Sequence, residues 1–92
     1  MALIIVKKSP SEKISEFLLN LALPQDKVLF VQDGVIFAAC KNVKNLVKEG
    51  VELFALKEDF IARGFDEKDS EVTLVDYDGW AELIEKEEKV IS

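Results

Sequence analysis

Short apolar runs of strand length alternate with helix-type patterns along the chain, and this alternation restricts the possible folds more than any other feature. The first two runs have no polar alternation, which is typical of strands buried on both faces of a sheet. The predicted strands are Ala2–Lys7, Val28–Val31, Val51–Leu56 and Glu71–Val75. Because parallel neighbours need a crossover, we predict a three-layer α/β/α fold with an open, mainly parallel sheet of four to five strands. Val90 and Ile91 form either a short fifth strand or a packed tail.

The length of 92 residues suits one hydrophobic core. A chain of this size buries roughly 64% of the surface that its unfolded form exposes, which is enough to fold without metals or cross-links. Hydrophobic residues make up 49% of the sequence and the mean hydropathy is +0.10, which disfavours intrinsic disorder. No repeat or linker divides the sequence, and we predict a single domain over residues 1–92.

A helix is predicted after the first strand. Ser9-Pro10-Ser11-Glu12 is typical of a helix start, with Ser9 as the N-cap and Glu12 bonding back to it in a capping box. The apolar residues that follow recur at helical spacing, and we expect their common stripe to face the core. They are Ile14, Phe17, Leu18 and Leu21. Pro24 ends this helix.

The segment after the second strand allows two interpretations. Asp33-Gly34 between apolar runs is a strong hairpin signal, which would pair Lys27–Gln32 with Val35–Cys40 in antiparallel orientation. The alternative is a turn into a helix, because several apolar residues lie on one helical face. That face comprises Ile36, Ala39, Cys40, Val43 and Val47, and Gly50 would follow the helix end. The periodicity favours the helix.

Two further helices are predicted in the second half of the chain. Glu58–Arg63 is a short one, with Asp59 and Arg63 spaced for an ion pair and Gly64 just past its end. Asp76 or Asp78 caps the last helix. The expected apolar face of that helix is Trp80, Leu83 and Ile84, and the glutamates expected in solvent are Glu82, Glu85, Glu87 and Glu88.

The charge balance narrows the function classes. Twelve Lys and Arg against eighteen Asp and Glu give a formal charge of −6 and a pI near 4.6. This charge opposes direct nucleic-acid contact and binding to an anionic membrane. One cysteine and no histidine exclude an internal disulfide, zinc sites and His-dependent catalysis, and we expect no metal and no cofactor. The lysines follow the first apolar run and no run reaches about 18 residues, so we expect a cytoplasmic protein.

Polar residues follow the predicted strand ends, and we expect them at the carboxyl edge of the sheet, where open parallel sheets bind ligands. The candidates are Ser9, Gln32, Asp33, Gly34, Lys57, Glu58, Asp59, Arg63, Gly64 and Asp76. Each has an alternative structural role as a cap, turn, ion pair or helix stop. Glu58 and Asp59 diverge by about 100° on a helix, so they do not form a catalytic dyad. The sequence contains no glycine-rich phosphate loop.

Cys40 is the one residue able to carry a persulfide, because that chemistry needs a thiolate. It follows the end of the second strand by about seven residues, which corresponds to roughly 10 Å along an α-helix. It also shares the apolar face predicted for that helix, where a free cysteine behaves as a small hydrophobic residue. We therefore predict that Cys40 is buried in the core, with a role as sulfur acceptor as the alternative.

Three segments carry a recognisable pattern, namely Gln32-Asp33-Gly34-Val35, the stretch Ala55–Gly64 with Asp59 ahead of Ala62-Arg63-Gly64, and Val75-Asp76-Tyr77. Together with Lys8-Ser9-Pro10 they resemble the DsrH/TusB family of small intracellular sulfur-relay proteins over nearly the whole length. The resemblance implies a DsrE-like α/β/α fold and a helix after Asp33-Gly34. Some family members carry a cysteine in the first helix, whereas residues 10–22 of this chain have none.

The resemblance also implies the smallest subunit of a complex with two sister folds that passes persulfide sulfur along a relay. One branch of such relays leads to 2-thiouridine at the tRNA wobble position, and another serves dissimilatory sulfur oxidation. We therefore expect an accessory, non-catalytic subunit whose partners are sister DsrE/DsrF-like (TusD/TusC-like) chains or a second copy of itself, without direct contact to nucleic acid or membrane. The alternatives are a sulfurtransferase that uses Cys40 and a flavodoxin-like, small-ligand-binding homo-oligomer that uses the same carboxyl edge.

Overall fold

The computed structural model describes residues 2–87 and 89–91, and its centre is a parallel sheet. Within these residues the sheet has five strands, β1 (Ala2–Val6), β2 (Lys27–Phe30), β3 (Glu52–Leu56), β4 (Thr73–Val75) and β5 (Lys89–Ile91). Their order across the sheet is β4-β3-β2-β1-β5, and every neighbouring pair is parallel. The predicted open parallel sheet is confirmed, and Val90 and Ile91 belong to its fifth strand.

Apolar residues pack on both faces of this sheet, which explains the unbroken apolar runs of β1 and β2. One face is covered by α1 (Lys13–Leu21), a 3-10 helix (Gln32–Ala39) and α2 (Lys57–Ala62). The other face is covered by α3 (Tyr77–Lys86), which contributes Leu83. Right-handed crossovers explain this division. From β1 to β4 each new strand is added on the same side of the previous one, so the connecting helices lie on one face of the sheet. The connection from β4 to β5 runs back across the sheet in the opposite direction, so α3 lies on the other face. The predicted three-layer α/β/α architecture is confirmed.

Helix α1 begins later than the sequence predicts. Its N-cap is Glu12, and no side chain caps it. Residues 9–12 form a separate turn in which the Glu12 N–H donates to the Ser9 carbonyl oxygen at 3.0 Å. The Ser9 hydroxyl lies 2.8 Å from that of Ser11. The predicted capping box is therefore wrong, because the Glu12 N–H and the Ser9 hydroxyl that would have formed it are hydrogen-bonded within this turn.

The apolar stripe of α1 is rotated away from the predicted one. Ser15 is fully buried and donates its hydroxyl to the Lys8 carbonyl oxygen at 2.7 Å, which directs the Ser15 side of the helix toward the sheet. Leu18, Leu19 and Ala22 lie on that side and are buried. The other three members of the predicted stripe are exposed, Ile14 by 50%, Phe17 by 58% and Leu21 by 41%. Helix α1 thus presents an apolar face to solvent.

The segment after β2 is helical, and the hairpin alternative is wrong because β2 pairs in parallel with β3. The helix is of the 3-10 type, and a second 3-10 helix follows at Val43–Leu46. Side chains three residues apart align in a 3-10 helix, and Val35 and Ala38 are accordingly buried. The predicted α-helical face is fully buried only at Val43. Gly50 does not follow a helix end; with φ of +93° it forms the turn before β3.

Asp76 is the N-cap of helix α3, and its carboxylate accepts the Gly79 N–H at 2.8 Å. Asp76 rather than Asp78 is therefore the cap. Leu83 packs on the sheet as predicted, whereas Ile84 is 38% exposed and lies outside the buried face. The cap and the packing of Leu83 set the rotation of the helix about its axis, and in this rotation Ile84 lies outside the face that meets the sheet.

The glutamates at the end of α3 differ in their surroundings. Glu82 and Glu85 are exposed as predicted. The prediction is wrong for Glu87, whose side chain is only 4% exposed and pairs with the Lys27 ammonium at 3.0 Å. Glu88 lies outside the described residues. Within the described part of the chain, no helix has the length and apolar character needed to cross a membrane.

Asp26 connects the α1–β2 loop to the start of the sheet, and it makes stability depend on pH. Its carboxylate accepts the Leu23 N–H at 3.0 Å and the Ala2 N–H at 2.9 Å. These hydrogen bonds, chiefly that from Leu23, hold the pKa of Asp26 below its ordinary value. A depressed folded-state pKa contributes stability above the unfolded pKa, and this contribution is lost as the pH falls below about 4.

We expect Asp26→Asn to lower stability at neutral pH and to reduce the further loss of stability on acidification. Denaturant unfolding measured between neutral pH and acid would show the wild-type and variant curves converging as the pH falls. The matched control is Asp69→Asn, which alters an exposed carboxylate. Parallel curves for wild type and Asp26→Asn would contradict the assignment.

Candidate functional site

A cleft of about 380 Å³ opens at the carboxyl edge of the sheet, where the ends of β1, β2 and β3 meet the first turn of α3. Its lining is apolar and aromatic, with polar groups from three segments. The lining residues are Ile5, Lys7, Val31, Gln32, Leu56, Asp59, Tyr77 and Trp80. Open parallel sheets bind ligands at this edge, and the volume lies within the range of small-molecule sites, roughly 300–1,000 Å³.

Gln32 and Asp59 form one wall of the cleft. Gln32 has a φ of +51°, a left-handed conformation that side chains rarely adopt. Its N–H donates to the Asp59 carboxylate at 2.6 Å, which links the end of β2 to α2. A charge-assisted hydrogen bond of this kind is stronger than a neutral one, so it helps to hold the unusual backbone conformation.

Asp33 and Arg63 form the second link between the same two segments. The guanidinium donates to one Asp33 carboxylate oxygen from Nε at 3.0 Å and from Nη2 at 2.8 Å. The predicted ion pair between Asp59 and Arg63 is therefore wrong, because each residue has its partner in the Gln32-Asp33 turn instead. Two of the segments that carry the family resemblance are thus bonded to each other in space.

Gly34 allows the β2 turn to approach β1 closely. Its N–H donates to the Val31 carbonyl oxygen at 2.9 Å and to the Lys7 carbonyl oxygen at 3.2 Å. A Cβ atom at this position would overlap the carbonyl oxygen of Val6. Only glycine fits here, and the close approach places Gln32 beside the end of β1.

The remaining candidates lie near the edge without lining the cleft. Lys57 pairs with Glu67 at 2.8 Å, and this hydrogen bond and charge raise the pKa of Lys57. Glu58 is exposed, and Gly64 ends α2 with a φ of +87°. Ser9 and Asp76 serve in the turn before α1 and as the cap of α3. The structure therefore brings Gln32, Asp33, Asp59 and Arg63 together and gives the others local roles.

Six lining residues lie outside the predicted set of candidates, namely Ile5, Lys7, Val31, Leu56, Tyr77 and Trp80. Lys7 and Tyr77 also lie just beyond strand ends, so the rule that selected the other candidates would have found them. Trp80 was assigned to the apolar face of α3. It does pack beneath the sheet, but its indole N–H is buried without a hydrogen-bond partner among the described residues.

Cys40 lies far from this edge. It is the C-cap of the 3-10 helix that starts at Gln32, and eight residues at about 2.0 Å rise place it roughly 16 Å along that helix. The thiol donates to the Ile36 carbonyl oxygen at 3.5 Å. Its side chain is partly buried against the core rather than enclosed, because the helix ends there and the chain turns away. The predicted burial in the core therefore holds only in part, whereas the separation of Cys40 from the edge agrees with expectation.

A larger, more open groove of about 790 Å³ lies at the amino ends of β3 and β4. Lysine and glutamate side chains mix along it, including Lys44, Lys48, Glu52 and Glu71. Lys48 is engaged in structure, since it donates to the carbonyl oxygens of Asn20 and Ala22 at the end of α1. Among the described residues, no group of three or more His, Cys, Asp or Glu could hold a metal ion. The carboxyl edge remains the better candidate site.

The fold and the edge cleft define an open, parallel α/β protein with its single thiol set apart from the strand ends. Residues 8–90 match the family model described as DsrH like protein, and the chain belongs to the DsrH family. It is 36% identical over 84 residues to Protein TusB of Photorhabdus laumondii subsp. laumondii, covering 88% of each chain. It is 30% identical over 91 residues to Protein TusB of Buchnera aphidicola subsp. Baizongia pistaciae, covering 96% of each.

Solved structures agree with this assignment. The solution structure of protein Tm0979 from Thermotoga maritima superposes with a TM-score of 0.76 at 33% identity, covering 96% of this chain and 95% of that one. A second structure of that protein, described provisionally as a sulfur transferase, gives a TM-score of 0.66 at 36% identity over the full length of both. The family resemblance and the fold predicted from the sequence are confirmed.

Proposed function

We propose that this chain is an accessory subunit of a cytoplasmic persulfide relay, in which sister chains carry the sulfur and this chain completes the docking surface. The observation that carries the proposal is the position of Cys40 at the far end of the 3-10 helix that begins at the carboxyl edge. The edge cleft has the place of an active site in such a fold but receives no nucleophilic sulfur from this chain. The names of the curated relatives support the branch that leads to wobble-uridine thiolation in tRNA.

The exposed face of α1 supports a role in an assembly. Ile14, Phe17 and Leu21 lie on one side of the helix, and Leu23 follows with 57% exposure. Full burial of each such side chain contributes about 1.5–3 kcal/mol. Large contiguous apolar patches on soluble proteins mark interaction surfaces. We assign this face to a sister chain of the DsrE/DsrF type, with a second copy of this chain as the alternative.

The charge of −6 supports a division of labour within the relay. A chain with this charge gains little from a phosphate backbone, because nucleic-acid affinity depends on neutralisation by Lys and Arg. We infer that contact with tRNA belongs to another protein of the relay. A salt-sensitive tRNA affinity of the isolated chain would contradict this part of the proposal.

Co-expression with the sister chains tests the assembly. We expect co-elution in size-exclusion chromatography, and we expect Phe17→Glu to weaken it at least tenfold because a charge would enter an apolar interface. The matched control is Ile61→Glu, which places the same charge at a 47% exposed apolar residue of α2. Co-elution unaffected by Phe17→Glu, or no co-elution of the wild-type chain, would overturn the proposal.

A sulfur-transfer assay separates the accessory role from the alternative in which Cys40 accepts sulfur. The isolated chain is incubated with a persulfide donor and its mass is measured with and without a reductant. We expect no stoichiometric gain of sulfur. A gain of one sulfur atom that is reversed by reductant and absent in Cys40→Ser would assign catalysis to this chain instead, and the partial exposure of Cys40 makes the control necessary.

A further inference from the structure

We propose that helix α3 is a second docking surface, and that its occupant is a basic amphipathic helix of a partner protein. The surface is the side of α3 that carries Tyr77, Ala81 and Ile84, together with the carboxylates beside them. Helices α1 and α3 cover opposite faces of the sheet, so both can be occupied in one assembly. The surface does not depend on the accessory role, because it lies on a different face and takes a different kind of partner.

An apolar stripe runs along the exposed side of α3. Tyr77, Ala81 and Ile84 are spaced four and three residues apart, which places them on one side of a helix. Tyr77 is 53% exposed and Ile84 is 38% exposed, so the stripe is open to solvent. Val90 of β5 is 43% exposed on the same face of the sheet, since it pairs with Leu3, which packs in the α3 cluster. This face therefore exposes apolar groups from both the helix and the edge strand.

An acidic stripe lies beside the apolar one. Each residue of the apolar stripe is followed directly by a carboxylate, and the three carboxylates are Asp78, Glu82 and Glu85. One residue corresponds to about 100° around an α-helix, so the two stripes run side by side. All three are exposed, and none of them forms a salt bridge within the described part of the chain. The one cation of the helix is Lys86, in its last turn. A partner can therefore neutralise the stripe.

The two stripes together specify the chemistry of the occupant. Apolar residues of the partner would cover Tyr77 and Ile84, while lysines or arginines beside them would face the carboxylates. A basic amphipathic helix has this arrangement, and such helices dock by their apolar stripe. The same carboxylates oppose an anionic bilayer or a nucleic acid, because binding to either depends on cations of the protein. The charge of the surface therefore favours a protein partner.

A second copy of this chain does not supply the complementary charge. Its own α3 carries carboxylates beside the apolar stripe, where cations are needed. Its α1 carries a mixture beside the exposed stripe, because the residues ahead of the three apolar ones are Lys13, Glu16 and Asn20. Complementary potentials select partners, and like charges placed together exclude them. The surface therefore fits a different, basic protein better than it fits this chain.

A designed peptide tests the surface on the native chain. The probe is a helical peptide of five turns, about 18 residues, with a stripe of leucines beside a stripe of lysines. One control peptide has glutamate in place of lysine, and another has the same composition in scrambled order. Calorimetry measures the affinity, and two-dimensional amide NMR locates the contact.

We expect saturable binding of the leucine–lysine peptide, with amide shifts concentrated in α3. The scrambled peptide should bind more weakly because it has charge without a stripe, and the glutamate peptide should not bind because its charge has the wrong sign. Equal binding of the scrambled peptide would overturn the proposal. Shifts confined to α1 or to the carboxyl edge, or no saturable binding, would also overturn it.

Charge reversal tests the acidic stripe. We expect the double variant Glu82→Lys, Glu85→Lys to bind the peptide about tenfold more weakly and with a smaller dependence on salt, since exposed ion pairs are screened and contribute little singly. The matched control is Glu49→Lys, Asp69→Lys, which changes the net charge equally at exposed residues elsewhere. An equal loss of affinity in both double variants would show attraction by net charge alone and would contradict a docking surface on α3.

Ile84→Ser tests the apolar stripe. We expect severalfold weaker peptide binding, whereas Ile61→Ser, at a 47% exposed residue of α2, should bind like the wild type. Unchanged affinity in Ile84→Ser would refute the apolar contact. Self-association of the native chain in sedimentation that Ile84→Ser abolishes would assign the surface to a second copy instead. The native-chain titration decides the proposal even if a variant does not fold.

Discussion

Replacing Gly34 by alanine is expected to destabilise the fold by at least about 3 kcal/mol, or to prevent folding. The added methyl group would overlap the Val6 carbonyl oxygen, which is backbone of the interior strand β1 and cannot move aside as a flexible side chain would. Any relief requires the β2 turn to withdraw from β1. That movement would also break the hydrogen bond from the Gly34 N–H to the Lys7 carbonyl oxygen.

Gly64→Ala is the matched control for this substitution. Gly64 has a φ of +87°, so alanine is strained there, but a Cβ atom would meet nothing within 4 Å. We expect a cost of about 1–2 kcal/mol, typical of a left-handed non-glycine residue. Urea unfolding of the two variants gives the comparison. A larger loss of stability in Gly64→Ala than in Gly34→Ala would contradict the steric explanation.

The second large effect is expected from Phe60→Ala, which should cost about 3–5 kcal/mol. Phe60 is fully buried on α2 and stacks on Phe65 with ring centroids 4.9 Å apart. Its removal leaves a cavity between α2 and the sheet that the surrounding strands cannot fill. The free energy of unfolding, measured by denaturant titration, checks the value.

Phe17→Ala is the control for Phe60→Ala, because it removes the same atoms from a 58% exposed position. We expect a change within about 0.5 kcal/mol for the isolated chain. The contrast separates core packing from the exposed α1 face, whose apolar residues are assigned to a partner. Similar losses for the two phenylalanines would show that α1 packs in solution with its predicted stripe toward the core.

Helix α1 shows why the local apolar pattern did not identify the buried face of a helix. Two stripes of this helix have helical spacing, one through Ile14, Phe17 and Leu21 and one through Ser15, Leu18 and Ala22. Apolarity favours the first, and the structure buries the second. The decision comes from the hydrogen bond between Ser15 and the Lys8 carbonyl oxygen, a contact seven residues apart that periodicity does not describe.

The candidate site was predicted in position but not in its bonding. The rule of strand ends located Gln32 and Asp59 correctly at the carboxyl edge. The spacing along the chain predicted that Asp59 pairs with Arg63 on one helix. In the fold Asp59 instead accepts from Gln32, 27 positions away, and Arg63 donates to Asp33, 30 positions away. The sequence predicts Trp80 as a core residue, because a sequence does not reveal whether an indole N–H will find an acceptor.

The order of apolar runs and helix patterns by itself determined the parallel α/β/α fold, since strands buried on both faces must be apolar throughout and must be joined by crossovers. The sequence also determined that one thiol and no histidine are available for chemistry. The tertiary structure alone decided which face of α1 is buried, which carboxylate meets Arg63, and how far Cys40 lies from the edge. These depend on contacts between distant segments, whose energies no short window of sequence contains.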